Sequence, residues 1–185
     1  MGKPSRKEDI LKLFFEEPTK HWHFSHIKKK VPIADNKVSR WLKFFMEKEL
    51  ITKKHPKNKM PYYISNYNNF EYQTLKKTYA LKEIHTSGLL KHLISLKTAK
   101  TIIIFGSFTR WDWHKDSDID IFIYGNDKNF KQSRYERILD KEIQVFPYKT
   151  KKHLKKLNSS FIKNILKGNI IKGDLDFLEI KCLET

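Results

Sequence analysis

The chain is poor in cysteine: Cys182 is the only one among 185 residues. A single thiol cannot form an intramolecular disulfide and cannot supply a cysteine-based zinc site. No run approaches the roughly 18 apolar residues of a membrane helix. The start of the chain shows no signal-peptide pattern, because Lys3, Arg6 and Lys7 lead into an amphipathic segment rather than an unbroken apolar core. These absences predict a cytoplasmic protein without membrane association. Acidic side chains are also scarce, 21 against 38 Lys and Arg, so the net charge is +17. The excess is +9 over residues 1–70 and +8 over residues 71–185. A basic charge on both halves suits a polyanionic partner such as nucleic acid or nucleotide phosphates. The plainer alternative is a Lys-rich bias that only keeps the chain in solution. The apolar fraction of 39% and aromatic fraction of 14% are enough for a packed core. The length admits one medium domain or two small ones.

The first half reads as helices followed by a short β-hairpin. Ser5 and Glu8 form a capping-box pattern, and Ile10, Leu11, Phe14 and Phe15 give one apolar face before Pro18. Ser25 is the expected cap of a second short helix carrying Ile27 and Val31, closed by Pro32. Asp35 or Asn36 is the expected cap of a third helix running to about Lys48. Its inward face carries Val38, Leu42 and Phe45, broadened by Trp41 and Phe44. Ile51 to Lys54 and Tyr62 to Ile64 then read as strands joined by a lysine-rich turn. Three helices and a basic hairpin over about residues 5–66 resemble the winged helix-turn-helix family, with "ADNKVSRWLKFFMEKELI" similar to its recognition helix and first wing strand.

The resemblance implies DNA binding. Asn36, Lys37, Arg40 and Lys43 lie opposite the apolar face, where Arg and Asn can read base edges in the major groove. On the wing, Lys57 and Lys59, with Lys53 and Lys54, can meet phosphates. The same side chains also suit a solvated charged face on a domain used for protein contacts. His21, His23 and His26 lack a carboxylate or thiolate neighbour in sequence, so they read as packing and surface histidines rather than metal ligands.

Residues 67–97 read as a helical connector. Phe70, Leu75, Tyr79 and Ile84 form an irregular apolar stripe, Ser87-Gly88 a break, and Leu89, Leu90, Leu93 and Leu96 a second helix. The connector suits either a dimerisation surface, making a homodimer possible, or a packing layer for the second domain. From residue 98 to 185 strand and helix alternate. Thr101 to Phe105, Ile119 to Tyr124 and Glu142 to Tyr148 are expected strands, and Lys131 to Leu139 an expected helix. Ser160 is the expected cap of a helix ending at Leu166, and residues 170–180 are expected to add a short strand.

The chemistry concentrates in "IIIFGSFTRWDWHKDSDIDIFIYG". An apolar strand ends at Gly106, which lets backbone approach a phosphate closely. A short helix is expected to start at Ser107, with free N–H groups for the same anion. Ten residues separate Ser107 from Asp118-Ile119-Asp120. Residues two apart on a strand share a face, so both carboxylates reach one site while Ile119 and Ile121 point to the core. Two close carboxylates call for a cation, and Mg²⁺ favours carboxylate, water and phosphate oxygens.

Gly-Ser, ten residues, then Asp-x-Asp closely resembles the minimal nucleotidyltransferases of the DNA polymerase β-like superfamily. Phe105, Gly106, Ser107, Arg110 and Ser117 to Asp120 carry the resemblance. It implies an α+β fold: a winged helix-turn-helix at 1–66, a helical connector at 67–97, and a nucleotidyltransferase domain at 98–185 with a small mixed sheet flanked by helices. It implies that Gly106 and Ser107 hold the β/γ phosphates of ATP or another nucleoside triphosphate. Asp118 and Asp120 would bind two Mg²⁺ (or Mn²⁺) ions, and a nucleoside monophosphate would pass to an acceptor. The resemblance also implies a protein as a candidate acceptor, since relatives of this kind often serve as antitoxins of HEPN-type toxins. Arg110 would neutralise phosphate charge or pair with Asp112 or Asp116. Trp111 and Trp113 would stack on a base or pack locally, with packing preferred.

The pattern departs from the family on the third strand, "KEIQVFPY", where a further carboxylate is expected. Gln144 aligns there, and Gln can neither act as general base nor carry charge. Glu142, two residues earlier, is the candidate to substitute as a catalytic group. Gln144 also opens an alternative: a DNA-binding transcriptional regulator whose second domain is a nucleotide sensor or inactive scaffold.

Overall fold

A computed structural model describes residues 6–154, 157–176 and 178. The Ser5 half of the capping box, Cys182 and the end of the segment 170–180 lie outside the described residues. Two compact units emerge. One runs through Lys76 and takes in Trp111–Lys115. The other holds Lys77–Arg110 and continues from Asp116.

The first unit contains α1 (Arg6–Glu16), α2 (Phe24–Lys30) and α3 (Asp35–Glu47), then β1 (Ile51–Lys54) and β2 (Tyr62–Ser65). β1 and β2 are antiparallel, pairing Ile51 with Ser65 and Lys54 with Tyr62. Trp22 adds an isolated antiparallel bridge to Tyr63. The helices fold on their apolar faces, burying Ile10, Phe14, Ile27, Val38, Leu42 and Phe45. The caps differ from the sequence expectation. His23 precedes α2, so Ser25 lies inside it, and Ala34 precedes α3, so Asp35 opens that helix. Neither cap residue makes a side-chain cap bond. Packing of the apolar face fixes these ends, because helical stability in proteins comes mainly from tertiary burial.

The start of α4 (Phe70–Thr86) belongs to this unit. The helix buries Tyr72, Lys76, Ala80 and Ile84, every fourth residue, while Phe70 of the expected stripe is 82% exposed. Lys76 is fully buried, with its ammonium 4.9 Å from the Trp113 ring centroid and 5.8 and 5.9 Å from those of Tyr67 and Tyr72. Such ammonium–ring contacts strengthen when desolvated. The Trp113 indole is also buried, and its N–H donates to the Lys76 carbonyl at 3.2 Å. The Lys115 N–H donates to the Glu16 carbonyl at 2.8 Å. Tyr72 and Ser65 hydroxyls both donate to the Phe14 carbonyl, at 2.8 and 2.9 Å. Trp113 is therefore core material of the first unit, and the segment 111–115 is clustered with that unit.

The second unit contains α5 (Leu89–Ser95), β3 (Ala99–Phe105), β4 (Ile119–Gly125), α6 (Gln132–Leu139), β5 (Ile143–Tyr148), α7 (Lys151–Leu154), α8 (Ser159–Leu166) and β6 (Asn169–Lys172). The strands form one mixed sheet in the order β5-β4-β3-β6. β4 and β5 are parallel, and β3 is antiparallel to both β4 and β6. Ile103, Phe105, Phe122 and Tyr124 lie on one face with Leu154 and Ile165, and Phe146, Tyr148 and Phe161 pack against them. The opposite parity of β4, Ile119, Ile121 and Ile123, is fully buried as well. Asn158, not Ser160, caps α8, accepting the Phe161 N–H at 2.7 Å. No helix among the described residues is long and apolar enough to cross a membrane.

Candidate active site

Strand β3 is buried almost throughout and delivers the chain to Gly106. There φ is +82° and ψ is −168°, a conformation essentially confined to glycine. A Cβ at this position would overlap the Asp120 carboxylate oxygen. Gly106 thus serves two demands at once, the turn and room for the carboxylate. Ser107–Thr109 then form one 3-10 turn, with the Thr109 hydroxyl donating to the Gly106 carbonyl at 3.0 Å and the Arg110 N–H to the Ser107 carbonyl at 2.9 Å. The expected helix is therefore a single turn with few aligned peptide dipoles. Any anion held here depends on close backbone approach, the Ser107 hydroxyl and nearby cations more than on a helix end. Ser107 and Arg110 are both partly buried.

Sheet register assembles the rest. Phe105 pairs with Asp120, and Asp120 with Gln144. Directly paired residues share a face. The row Phe105–Asp120–Gln144 therefore closes the end of the aromatic face just described. Asp118, immediately before β4, reaches the same place, where the Gln144 amide donates to its carboxylate at 2.6 Å. The Asp120 carboxyl is pushed up to about 6 by burial first and by the Asp118 charge second, partly offset by Arg110. Gly106, Arg110, Asp118 and Asp120 are thus brought together, with Gln144 as an added member.

Glu142 is placed differently. Its carbonyl accepts the Ile119 N–H at 2.9 Å, but its side chain is exposed. It lines a shallow depression of about 640 Å³ with Ser133, Glu136, Arg137, Asp140 and Lys141. Among the described residues no group of three or more His, Cys, Asp or Glu side chains is arranged to hold a metal. Two carboxylates suit one hard divalent cation completed by water and phosphate oxygens. A cation between them would relieve the repulsion and burial that raise Asp120.

Residues 88–174 match the family model described as polymerase beta, nucleotidyltransferase. The match supports placing this segment in the polymerase β-like nucleotidyltransferase superfamily. Gly106, Ser107, Arg110, Asp118, Asp120 and Gln144 all fall within it. A domain of this family supports nucleotidyl transfer in general and makes the protein a candidate transferase. No curated protein and no solved structure was found to match the chain.

Outside the matched segment, Asn36, Lys37, Arg40 and Lys43 are exposed on α3, and Lys57 and Lys59 are exposed between β1 and β2. Lys43 lies 3.9 Å from Glu47. His21 stacks on Tyr62 at 3.8 Å, and His23 lies 3.0 Å from the Pro61 carbonyl through Nδ1. Trp111 meets Tyr67 edge-on at 4.8 Å. Sequence reasoning did not find the Thr109 bond that braces the Gly106 turn or the Gln144–Asp118 bond. The first was marked only by a threonine three residues after glycine; the second needs the β4–β5 register.

Proposed function

We propose that the second unit transfers a nucleoside monophosphate from ATP or another triphosphate to an acceptor, using Mg²⁺ or Mn²⁺. The observation that carries this reading is the Asp118–Asp120 pair set against the bare backbone of Gly106. Gly106 and Ser107 would cradle the β and γ phosphates, and Arg110 would balance phosphate charge. Asp118 and Asp120 would hold the cation, which when bound stabilises charge on the phosphate oxygens. The acceptor hydroxyl oxygen would bond to the α-phosphorus as its proton passes to solvent, the bond to the bridging oxygen would break, and pyrophosphate would leave in line. A protein acceptor such as a HEPN-type toxin fits the type of domain. The test is transfer of label from an α-labelled triphosphate to a co-expressed toxin. Wild type should label it and Asp118→Ala should not; equal behaviour of the two would remove the proposal.

The first unit is proposed as a winged helix that binds DNA. Its element order, the Trp22–Tyr63 bridge and the exposed basic groups on α3 and the hairpin support this. Gln144 favours a second reading, in which the triphosphate pocket serves as a sensor for a DNA-binding regulator. Binding of DNA that changes with triphosphate, without any transfer, would support the sensor.

A further inference from the structure

We propose that Gln144 makes the pocket a one-cation site, able to hold the cation that arrives on a triphosphate but not a second one. This rests on the reading that the pocket takes a metal-bound triphosphate. Three observations support it. First, the Gln144 amide presents its N–H end to Asp118 at 2.6 Å. A second cation beside Asp118 would meet the positive end of that dipole rather than a lone pair. Turning the amide to offer its oxygen would forfeit this bond and supply only a neutral ligand.

Second, among the described residues, the carboxylates immediately before β5 and on α6 are engaged elsewhere. Glu142 faces the open depression with Arg137 and Lys141. Glu136 is occupied, accepting from the Gln132 amide at 2.9 Å and from the Ile143 N–H at 3.3 Å. Third, the two carboxylates already share one environment, with Arg110 bearing on Asp120. Arg110 thereby offsets part of the negative charge that the pair offers to cations.

Gln144 is in this account a positioning residue: it orients Asp118 and sets the charge of the site. It also cannot accept a proton. An acceptor hydroxyl therefore finds no carboxylate base at this place on β5, and binding should outpace transfer.

The experiment titrates the full-length protein with Mn²⁺ in the presence of an α,β-methylene triphosphate and counts bound Mn²⁺ by electron paramagnetic resonance. Wild type should bind about one ion per chain, and Gln144→Glu about two, the second at least ~10-fold tighter than in wild type. Gln144→Ala, which removes the hydrogen bond without adding charge, should remain at about one. Two ions on wild type or on Gln144→Ala would overturn the inference, as would one ion on a folded Gln144→Glu. Wild type that binds no triphosphate at any Mn²⁺ concentration would instead remove the function reading beneath it, and this inference with it.

Discussion

The first unit spreads its charge over an exposed surface, whereas the second concentrates a few charged groups at the half-buried end of two strands. On α3 and the hairpin, Lys37, Lys43, Lys57 and Lys59 are exposed to solvent. At the end of β3 and β4, a glycine, two aspartates and a glutamine share so little space that one added methyl group would collide. Surface charges of the first kind act additively and weaken with salt. Crowded groups of the second kind act as a unit, and changing one alters its neighbours.

That contrast can be broken most sharply at Gly106. Gly106→Ala would force a side chain into a positive-φ position and onto the Asp120 carboxylate. Backbone strain alone costs roughly 1–3 kcal/mol. Triphosphate binding should fall ~100-fold, with a lowered thermal midpoint, as read by calorimetry; binding within a factor of about two of wild type would show that the groups are not crowded.

A smaller effect is expected from Asp120→Asn. The folded-state pKa of Asp120 is raised to about 6 from 3.8. Its neutral form therefore favours folding at low pH, and that contribution is lost as pH rises through about 6. Without divalent ions, Asp120→Asn should gain stability relative to wild type across this window. The gain should level off near 1 kcal/mol above it, a value reduced for the partial exposure of the group. Urea unfolding at pH 4.5 and 7.5 (about one and a half pH units either side) would measure it. Mg²⁺ should stabilise wild type and not the variant.

The smallest effects belong to the first unit. If it binds DNA, Lys57→Ala and Lys59→Ala should each weaken binding by less than ~1 kcal/mol and lower the salt slope by about one. A large loss from either alone would mean that the basic surface is as specific as the carboxylate site.

The legible parts of the fold were those with strong repeating patterns. β1 spans the expected residues, and β3, β4 and β5 shift only at their ends, because short apolar runs have few other ways to be buried. The carboxylate pair was legible because strand parity puts Asp118 and Asp120 on one side. Helix starts were less so: Ser25 and Ser160 resemble caps, yet tertiary packing moved the ends to His23 and Asn158. The buried face of α4 was obscured by Lys76, whose type suggests solvent but whose ammonium lies among aromatic rings. α7, only four residues long, offers too few turns to show a period. The Gln144–Asp118 bond joins residues 26 positions apart and depends on a parallel register that no local pattern encodes.

Trp113 has a consequence for the order in which the chain acquires its shape during synthesis. The first unit's own core includes a residue encoded 37 positions after Lys76, the residue whose carbonyl it meets. On a ribosome, the three helices and the hairpin emerge long before that indole does. Until it arrives, the pocket it will fill is open, and Lys76 lacks one wall of its aromatic surround. Translation at about 5–20 residues per second leaves an interval of seconds in which the unit is helical but unfinished. A chain ending at Lys76 would stay in that condition, so this unit cannot be excised by one cut without leaving its core incomplete.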